Sequence, residues 1–230
     1  MPQDEISFTD FIASSIHDMK NSLMMQVHAL ESVAAECRQK GDLETVQKLG
    51  GVLYEASRMN SSLIQLLGIY KFDKAIYPMD VVEHSMADVI AEAVMQNTSN
   101  LNFKGLKITT ECDPDLYWYF DRDLVSGMLL NALNNAYNYT KSRIHIVAKQ
   151  ADGMLELRVE DDGQGYPASM LSNNNMGANK GIHFSKGSTG LGFHFVSRAA
   201  RMHKNGGTCG SLAIENGGQW GGGCFIVRLP

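Results

Sequence analysis

The sequence lacks several features that would place it in a specialised class of proteins. Its four cysteines, Cys37, Cys112, Cys209 and Cys224, form no C-x-x-C pair, so neither a zinc site nor a disulfide framework is indicated. We therefore expect reduced thiols in a cytoplasmic protein. No apolar run reaches the roughly 18 to 20 residues of a membrane span, and the N-terminus has no basic-then-apolar signal pattern. We expect no membrane span in this chain.

An excess of positive charge is also missing. The 230 residues contain 20 Lys and Arg against 25 Asp and Glu, a net charge of −5. Proteins that bind nucleic acid usually carry a basic patch that follows the phosphates, so this balance argues against such a partner. The hydrophobic content of 44% is that of an ordinary globular protein, and the length suffices for one large domain or two modest ones.

Two long amphipathic helices are predicted at the N-terminus. Apolar residues recur at helical spacing over residues 8–38 and again over residues 43–70. Gly41 is a plausible C-terminal stop and Asp42 a plausible N-cap, so the helices would form an antiparallel hairpin. A lone hairpin cannot cover both apolar stripes, and we expect a homodimeric four-helix bundle. The alternative is that the hairpin packs onto the rest of the same chain.

The helical pattern breaks over residues 71–79, where Pro78 interrupts it. We predict a helical domain over residues 1–75 and a second domain over residues 79–230. In the second domain helices are predicted over residues 81–96, 121–139 and 191–203, and strands over residues 106–112, 116–120, 144–149 and 154–160 and twice near the C-terminus. This mixture favours an α+β sandwich with helices on one face of a sheet.

Three segments of the second domain point to one kind of site. Asn131 and Asn135 share a helix face, and amide oxygens suit a hard cation such as Mg²⁺. In residues 159–166, V-E-D-D-G-Q-G-Y, Asp161 can accept a hydrogen bond from an exocyclic amine, and the glycines let the backbone approach a flat ring. In residues 187–192, G-S-T-G-L-G, a glycine loop opens a helix whose N–H groups favour an anion. Each segment alone is weak evidence, but their order and spacing together indicate a nucleotide site.

The first helix carries a polar patch within residues 16–23, I-H-D-M-K-N-S-L. His17 and Asn21 lie one turn apart on a helix, with Asp18 beside them. Neutral imidazole is a competent nucleophile near pH 7, and a carboxylate can hold the proton on one ring nitrogen and stabilise the developing imidazolium. His28, three turns further on, has no acid next to it in the sequence. Alone, such a patch is an ordinary helix surface.

These segments together resemble the catalytic core of a two-component sensor histidine kinase. The matching segments are residues 16–23 for the family's histidine box, 131–140 for its asparagine box, 161–165 and 187–192 for its two glycine boxes, and 222–230 for its terminal strand. The resemblance covers nearly the whole chain. It implies an N-terminal helical hairpin that forms a dimeric four-helix bundle, followed by the α/β-sandwich ATPase domain that histidine kinases share with gyrase.

The resemblance also implies roles for individual residues. His17 would be the phosphoacceptor, Asp18 its activating neighbour, and Asn21 the amide linked to dephosphorylation of the partner. Asn135 would be the principal Mg²⁺ ligand, with Asn131 in support. The residues implied to contact ATP are Asn131, Asn135, Tyr139, Asp161, Gly163, Gly165, Lys186, Thr189, Gly190, Leu191 and Gly192, with Asp161 at the adenine amine and residues 166–188 as the ATP lid.

The activity implied by the resemblance is ATP-dependent autophosphorylation of His17 and transfer of the phosphoryl group to an aspartate of a response-regulator receiver domain. Dephosphorylation of that receiver is implied as well. The cofactors would be ATP and Mg²⁺, and the partners a second copy of the chain, the receiver domain and a separate sensor protein. Two alternatives stay open: a histidine phosphotransfer or phosphatase module with weak or no kinase activity, and an ATP-gated dimerisation clamp of the gyrase type.

The chain departs from the family pattern at a few positions. Ser22 stands where many members have a proline, and because serine keeps its N–H we expect less of a kink in the helix. Asn138 stands where a basic residue often faces the phosphates, Ser188 replaces a glycine of the second glycine box, and Phe184 is the one candidate for the phenylalanine box. These departures are compatible with weak kinase activity.

Overall fold

The computed structural model describes residues 8–171 and 190–230. The chain divides into two compact units, Met1–Tyr77 and Pro78–Pro230. The predicted order of a helical N-terminal region followed by a mixed α/β domain is confirmed. The roles assigned to the two domains stay predictions.

The first unit is a hairpin of two helices, α1 (Phe8–Gln39) and α2 (Leu43–Asp73). Gly41, at φ +76°, takes the left-handed conformation that ends α1. The Asp42 carboxylate accepts a hydrogen bond from Thr45 N at 3.1 Å, and this bond lowers the pKa of Asp42. The predicted helix stop and N-cap are therefore confirmed. Helix α1 continues without a break through Ser22.

The hairpin buries few of its apolar side chains. Ile16, Ala34, Tyr54, Ile69 and Phe72 are buried. Many other large apolar side chains of the two helices are exposed, namely Phe11, Ile12, Met19, Met24, Met25, Val33, Leu43, Val52, Met59, Ile64 and Leu66. Exposed apolar stripes of this extent are typical of helices that pair with another chain.

The second unit is built on a five-stranded sheet. Its strands are β1 (Val81–Ser85), β2 (Lys107–Cys112), β3 (Tyr117–Asp121), β4 (Arg143–Ala151), β5 (Met154–Asp161), β6 (Lys204–Asn205), β7 (Thr208–Cys209), β8 (Ser211–Gly217) and β9 (Gly222–Leu229). Its helices are α3 (Met86–Lys104), α4 (Arg122–Tyr139), α5 (Ala168–Leu171) and α6 (Leu191–Met202). The main sheet has the order β2-β4-β5-β9-β8, in which β2 is parallel to β4 and the other neighbours are antiparallel.

The prediction of one helix over residues 81–96 is wrong at both ends, since α3 covers Met86–Lys104. Residues Val81–Ser85 form β1, which pairs with β3 in a separate antiparallel ribbon. Helix α3 begins only at Met86, where Ser85 Oγ accepts a hydrogen bond from Asp88 N at 3.2 Å. Two adjacent β-branched valines favour a strand, and the serine then starts the helix.

One face of the main sheet forms the core with α3, α4 and α6, which pack against it. The buried side chains of this face are Ile144, Ile146, Leu155, Leu157, Val159, Leu212, Ile214, Phe225, Val227 and Leu229. Asp161 pairs with Ile144 across β4 and β5, so its carboxylate stands on the same face at the end of an apolar row. The sheet thus places the Asp161 carboxylate at the edge of the apolar core.

The opposite face of the sheet carries an ion-pair network. Glu156 and Glu160 are buried, and Arg158 lies between them at 3.6 and 3.0 Å. Arg228 donates two hydrogen bonds to Glu156, at 2.7 and 2.8 Å. Burial alone would raise the pKa of each carboxyl, but the arginine hydrogen bonds and charges, and the Gln219 amide at Glu160, outweigh it and lower both pKa values.

Candidate functional site

Asp161 is the centre of the candidate base pocket. Its side chain is 8% exposed. Its Oδ1 accepts hydrogen bonds from the backbone N–H groups of Gly163, at 2.7 Å, and Gly223, at 3.1 Å. Over residues 8–171 and 190–230, no hydrogen bond reaches Oδ2. The carboxylate is thus held by one oxygen, and the other is left as an acceptor for an amine.

Glycines let the backbone close around this carboxylate. A side chain at Gly163 would overlap the carbonyl oxygen of Tyr139, and one at Gly222 would overlap the backbone of Asp161. A Cβ at Gly223 would lie 2.9 Å from Asp161 Oδ2. Gly163 was predicted from the sequence to shape the pocket, whereas Gly222 and Gly223 were predicted only as part of the terminal strand. The two adjacent glycines were a visible signal of close packing, but the residue on which they pack, Asp161, lies about sixty positions earlier in the chain.

The loop after the glycines is tied to β8. Gly165 adopts φ +73°. Asn216 Oδ1 accepts from Tyr166 N at 2.6 Å, and Asn216 Nδ2 donates to the carbonyl of Tyr166 at 2.8 Å. The Tyr166 ring lies edge-on to Phe193 in the first turn of α6, with centroids 6.1 Å apart. Burial and the neighbouring Asp161 charge raise the pKa of Tyr166, so its phenol stays neutral. Asn216 was not among the residues predicted for the site, and Tyr166 was predicted only as the start of the ATP lid.

The second carboxylate of the motif has a different role. Asp162 Oδ1 accepts from the backbone N–H groups of Lys141, Ser142 and Arg143 at 3.0, 2.9 and 3.2 Å. Its Oδ2 accepts from Ser142 Oγ at 2.6 Å. Burial opposes these bonds, but they lower the pKa of Asp162 to about 2. Asp162 therefore fixes the turn between α4 and β4 and leaves Asp161 as the acceptor in the pocket.

The two asparagines of α4 lie together. Asn135 Nδ2 donates to Asn131 Oδ1 at 3.2 Å. Asn131 is buried and packs so closely on Gly192 that a side chain at position 192 would overlap its amide. Because the amide nitrogen of Asn135 is engaged, its Oδ1 is available to a hard cation. This arrangement fits the predicted division into a ligand and a supporting residue.

The N-terminus of α6 lies beside these asparagines. Gly190 is the N-cap residue of α6 and has φ +65°, and no side chain caps this helix end. The Gly190 carbonyl accepts a hydrogen bond from His194 N at 3.1 Å. The N–H groups of the first turn, from Leu191 onward, have no carbonyl of a preceding turn to bond. An anion would meet these N–H groups and the positive end of the helix dipole. Residues 172–188 of the predicted lid lie outside the described residues, and with them Phe184, Lys186 and Ser188. Thr189 lies outside them as well.

Two residues of the asparagine segment, Asn138 and Tyr139, have side chains that are exposed or bonded within the helix. The side chain of Tyr139 is 60% exposed, whereas its carbonyl contacts the backbone at Gly163. Asn138 Nδ2 donates back to the carbonyl of Asn134 at 2.9 Å. The amide at position 138 is therefore used within the helix.

The candidate phosphoacceptor patch is exposed on α1. The side chains of His17 and Asp18 are 59% and 79% exposed, and His17 Nδ1 lies 3.6 Å from Asp18 Oδ1. Asn21 Nδ2 lies 3.3 Å from the same Nδ1. The Asp18 carboxylate can accept a hydrogen bond from Nδ1 only if Nδ1 carries a proton, whereas the Asn21 Nδ2 group can donate to Nδ1 only if Nδ1 has a lone pair. If the Asn21 amide is rotated by 180°, its oxygen faces Nδ1, and both Asp18 and Asn21 then accept from a protonated Nδ1. Nε2 would then present its lone pair to solvent.

His28 differs from its expected surroundings. Its Nδ1 lies 3.3 Å from Glu31 Oε2, one turn further along α1. The expectation that His28 lacks an acidic neighbour holds for the adjacent sequence positions but not for the helix surface, where residues three apart meet. A carboxylate beside a helical histidine is therefore not unique to His17.

None of the helices in the described ranges is both long and apolar enough to cross a lipid bilayer.

Sequence comparison relates the chain to a family of ATPases and to sensor histidine kinases, and structural comparison shows a shared fold. Residues 120–230 match the family described as histidine kinase-, DNA gyrase B-, and HSP90-like ATPase. The sensor histidine kinase CssS of Bacillus subtilis (strain 168) is 27% identical over 202 residues, which cover 87% of this chain and 42% of CssS. The sensor protein SrrB of Staphylococcus aureus (strain N315) is 24% identical over 227 residues, which cover 96% of this chain and 38% of SrrB. The chain thus spans about two-fifths of the length of these relatives.

Among solved structures, the histidine kinase AdeS of Acinetobacter baumannii superimposes with a TM-score of 0.60 at 17% identity, over 89% of this chain and 96% of AdeS. At this identity the likeness concerns the fold. The family match and the two relatives confirm the resemblance to a sensor histidine kinase catalytic core.

Proposed function

Because residues 120–230 belong to the histidine kinase-, DNA gyrase B- and HSP90-like ATPases and the whole chain is a relative of sensor histidine kinases, we propose that it is an ATP-dependent, autophosphorylating protein histidine kinase. It would phosphorylate His17 and pass the phosphoryl group to an aspartate of a response-regulator receiver domain. Since its substrate would be ATP, we propose that it works in the cytoplasm.

The observation that carries the proposal is the half-engaged carboxylate of Asp161. Two backbone N–H groups hold Oδ1, and the glycines around it let the backbone pack directly against the carboxylate. An adenine amine would donate to Oδ2, whereas a guanine carbonyl at the same place would meet a second acceptor. The pocket therefore favours ATP.

The Asn135 amide oxygen fits a Mg²⁺ ion, since the neighbouring Asn131 holds the amide in one orientation. The ion, when bound with ATP, supplies charge neutralisation at the phosphates. The first-turn N–H groups of α6 would bind phosphate oxygens from the other side. Asn131, buried against Gly192, would keep the ligand and these N–H groups at a fixed separation.

At His17 the Nε2 lone pair would form a bond to the γ-phosphorus, while the bond from that phosphorus to the bridging β,γ-oxygen breaks and ADP leaves. The proton on Nδ1 would stay between the ring and Asp18, whose charge stabilises the imidazolium that forms. The receiver aspartate would then take the phosphoryl group, with the electron pair of the N–P bond returning to Nε2. Asn21, within 3.3 Å of the ring, could orient a water for the reverse task of receiver dephosphorylation.

One observation favours a second candidate function, a phosphotransfer or phosphatase module with weak kinase activity. Asn138 stands where a basic residue would face the phosphates, and its amide is bonded to the carbonyl of Asn134. A neutral side chain engaged in its own helix supplies no charge-assisted contact to ATP. The receiver domain and a separate sensor protein are proposed partners in either case.

Incubation with ATP labelled at the γ-phosphate tests the proposal. The wild-type chain should acquire an acid-labile, base-stable label, and His17→Ala should abolish it. His28→Ala is the matched control, because His28 lies on the same helix with a carboxylate at a similar distance. A label that survives His17→Ala would contradict the assignment, and a label absent from the wild type would favour the phosphotransfer module.

A further inference from the structure

Helices α4 and α6 run in opposite directions and pack against each other at two glycines. At the site end, Gly192 lies directly against the Asn131 amide. Further along, a Cβ at Gly127 would be 3.3 Å from the ring of Phe195. A glycine on one helix at each level makes the close approach possible. These close contacts fix the position of α4, which carries the proposed metal ligand, along α6, which carries the proposed phosphate contacts.

The far end of this helix pair is joined by a buried histidine. His203, 3% exposed, directly follows α6. Its Nε2 accepts a hydrogen bond at 3.0 Å from the backbone N–H of Asp121, the N-cap residue of α4. Because Nε2 is an acceptor, Nδ1 must carry the proton, and it donates to the carbonyl of Ala199 at 3.0 Å. The ring is thus held neutral with both nitrogens engaged.

The charge that acts on His203 from the facing helix is the carboxylate of Asp121. That carboxylate accepts from Leu124 N and from Asp80 N, each at 3.0 Å, so it is committed to the start of α4. Burial lowers the pKa of His203 and outweighs the opposite effects of the Ala199 carbonyl and the Asp121 charge. A proton added at Nε2 would confront the N–H of Asp121 and break the link.

We infer that His203 is a positioning residue for the proposed nucleotide site: by linking the start of α4 to the end of α6, it sets the register in which Asn131 meets Gly192. Its effect on nucleotide affinity rests on the proposed function, but its effect on the helix pair does not. Acid that protonates His203 loosens the helix pair and, with it, the site.

Two variants separate the effect of the hydrogen bond between His203 and Asp121 from the effect of the buried imidazole ring. His203→Gln retains an acceptor that does not titrate, and His203→Phe keeps bulk but neither hydrogen bond. Leu229→Ala, a core variant at the end of the sheet opposite Asp161, is the control for lost stability. Hydrogen exchange of the full chain should speed up in the first turn of α4 and along α6 in His203→Phe, and should not do so selectively in Leu229→Ala.

Calorimetry with Mg·ATP gives the functional readout. His203→Phe should bind about three- to tenfold more weakly, as expected for one lost buried hydrogen bond, and His203→Gln should recover most of this loss. As the pH falls from 6.5, the ordinary pKa of histidine, towards about 5, wild-type affinity should fall more steeply than that of His203→Gln, because burial lowers the pKa of His203 below that ordinary value.

The outcomes distinguish the two claims. If the wild type binds ATP and His203→Phe binds it no more weakly than Leu229→Ala does, the inference is overturned. Unchanged exchange in both helices of His203→Phe overturns it as well. If the wild type binds no nucleotide but His203→Phe loosens α4 and α6 selectively, the positioning role stands and the proposed function falls.

Discussion

The Asp161 carboxylate is oriented mainly by residues that have no side chains. Gly163 and Gly223 donate to one of its oxygens, and a Cβ at either glycine would intrude on the carboxylate, at 2.8 Å from Oδ1 and 2.9 Å from Oδ2. Among the described residues nothing bonds to Oδ2, so this oxygen is presented without any side chain having to move. This rigidity makes a single-atom substitution informative.

Replacing Asp161 by Asn should weaken ATP binding by about 1 to 3 kcal/mol, because the amide either loses the acceptor for adenine or disrupts the bonds to the backbone. Isothermal titration calorimetry measures this change. Asp152→Asn, in the β4–β5 turn at φ +52°, is the matched control and should leave affinity unchanged, since asparagine tolerates that conformation. Equal affinities for Asp161→Asn and the wild type would exclude the carboxylate from the base pocket.

Asp162 shows why adjacent carboxylates in a motif need not share a role. Its folded-state pKa of about 2 lies below the ordinary 3.8, so the folded state binds the proton less tightly than the unfolded chain. The stability that it contributes is present above about pH 4 and is lost as the pH falls towards 2. The wild type should resist urea better than Asp162→Asn near neutral pH.

This advantage of the wild type should shrink as the pH is lowered from about 4 towards 2. Urea midpoints across that range, measured for both proteins, follow the change. A gap that stays constant down to the lowest pH at which the chain folds would show that Asp162 stabilises the turn by shape and not by charge.

Strands β5 and β9 carry a network whose members depend on one another. Arg158 lies between Glu156 and Glu160 and also donates to Cys224 Sγ at 3.0 Å. Burial raises the pKa of Cys224 to about 12, so the thiol is neutral and adds no charge. The arginine therefore balances two buried carboxylates on the outer face of the sheet.

Replacing Arg158 by Met should destabilise the second unit by about 3 kcal/mol, because it leaves the buried Glu160 carboxylate without its charged partner. Urea denaturation followed by circular dichroism gives this value. Arg158→Met combined with Glu160→Gln should recover part of the loss, since the charge left uncompensated is removed. An Arg158→Met variant as stable as the wild type would mean that the network does not act as one unit. The same conclusion would follow if the change in the free energy of unfolding of the double variant equalled the sum of the changes in the two single variants.

Sequence patterns predicted the elements with strong periodicity and missed those set by distant contacts. The periodic residues of α1, α2 and α4 gave their helices, and Gly41 and Asp42 gave the turn. The ribbon β1, by contrast, exists because it pairs with β3 about 35 residues later. The short strands β6 and β7 turn at Gly206 and Gly207, both with positive φ, a signal the sequence analysis overlooked.

The candidate site shows the same division. Asp161, Asn131 and Asn135 stand in local motifs, so their chemistry could be read from the sequence. Other contacts of the site join residues 50 to 62 positions apart, as between Asn216 and Tyr166 and between Gly223 and Asp161. No local pattern contains such a pair, and only packing reveals it.

At the scale of the whole molecule, the hairpin is expected to supply the dimer. Val52 and Met59 are exposed on one face of α2, seven residues apart. The double variant Val52→Glu and Met59→Glu should convert a dimer into a monomer, because charges would enter an apolar interface. Sedimentation velocity distinguishes the two states.

Met95→Glu is the control for the dimer experiment, since Met95 is 71% exposed on α3 of the second unit. It should sediment as the wild type does. A wild-type chain that is monomeric at micromolar concentration, or a double variant that remains dimeric, would contradict a bundle formed through this face of α2.

The central claim is that the pocket around Asp161 delivers the phosphoryl group of ATP to His17. Mass spectrometry of the chain after incubation with Mg·ATP, with peptides kept at neutral or basic pH, tests it most directly. The account predicts one phosphorylated residue, His17, and a strongly reduced yield in Asp161→Asn. Phosphate on another residue, or ATP hydrolysis without any phosphorylated histidine, would contradict it.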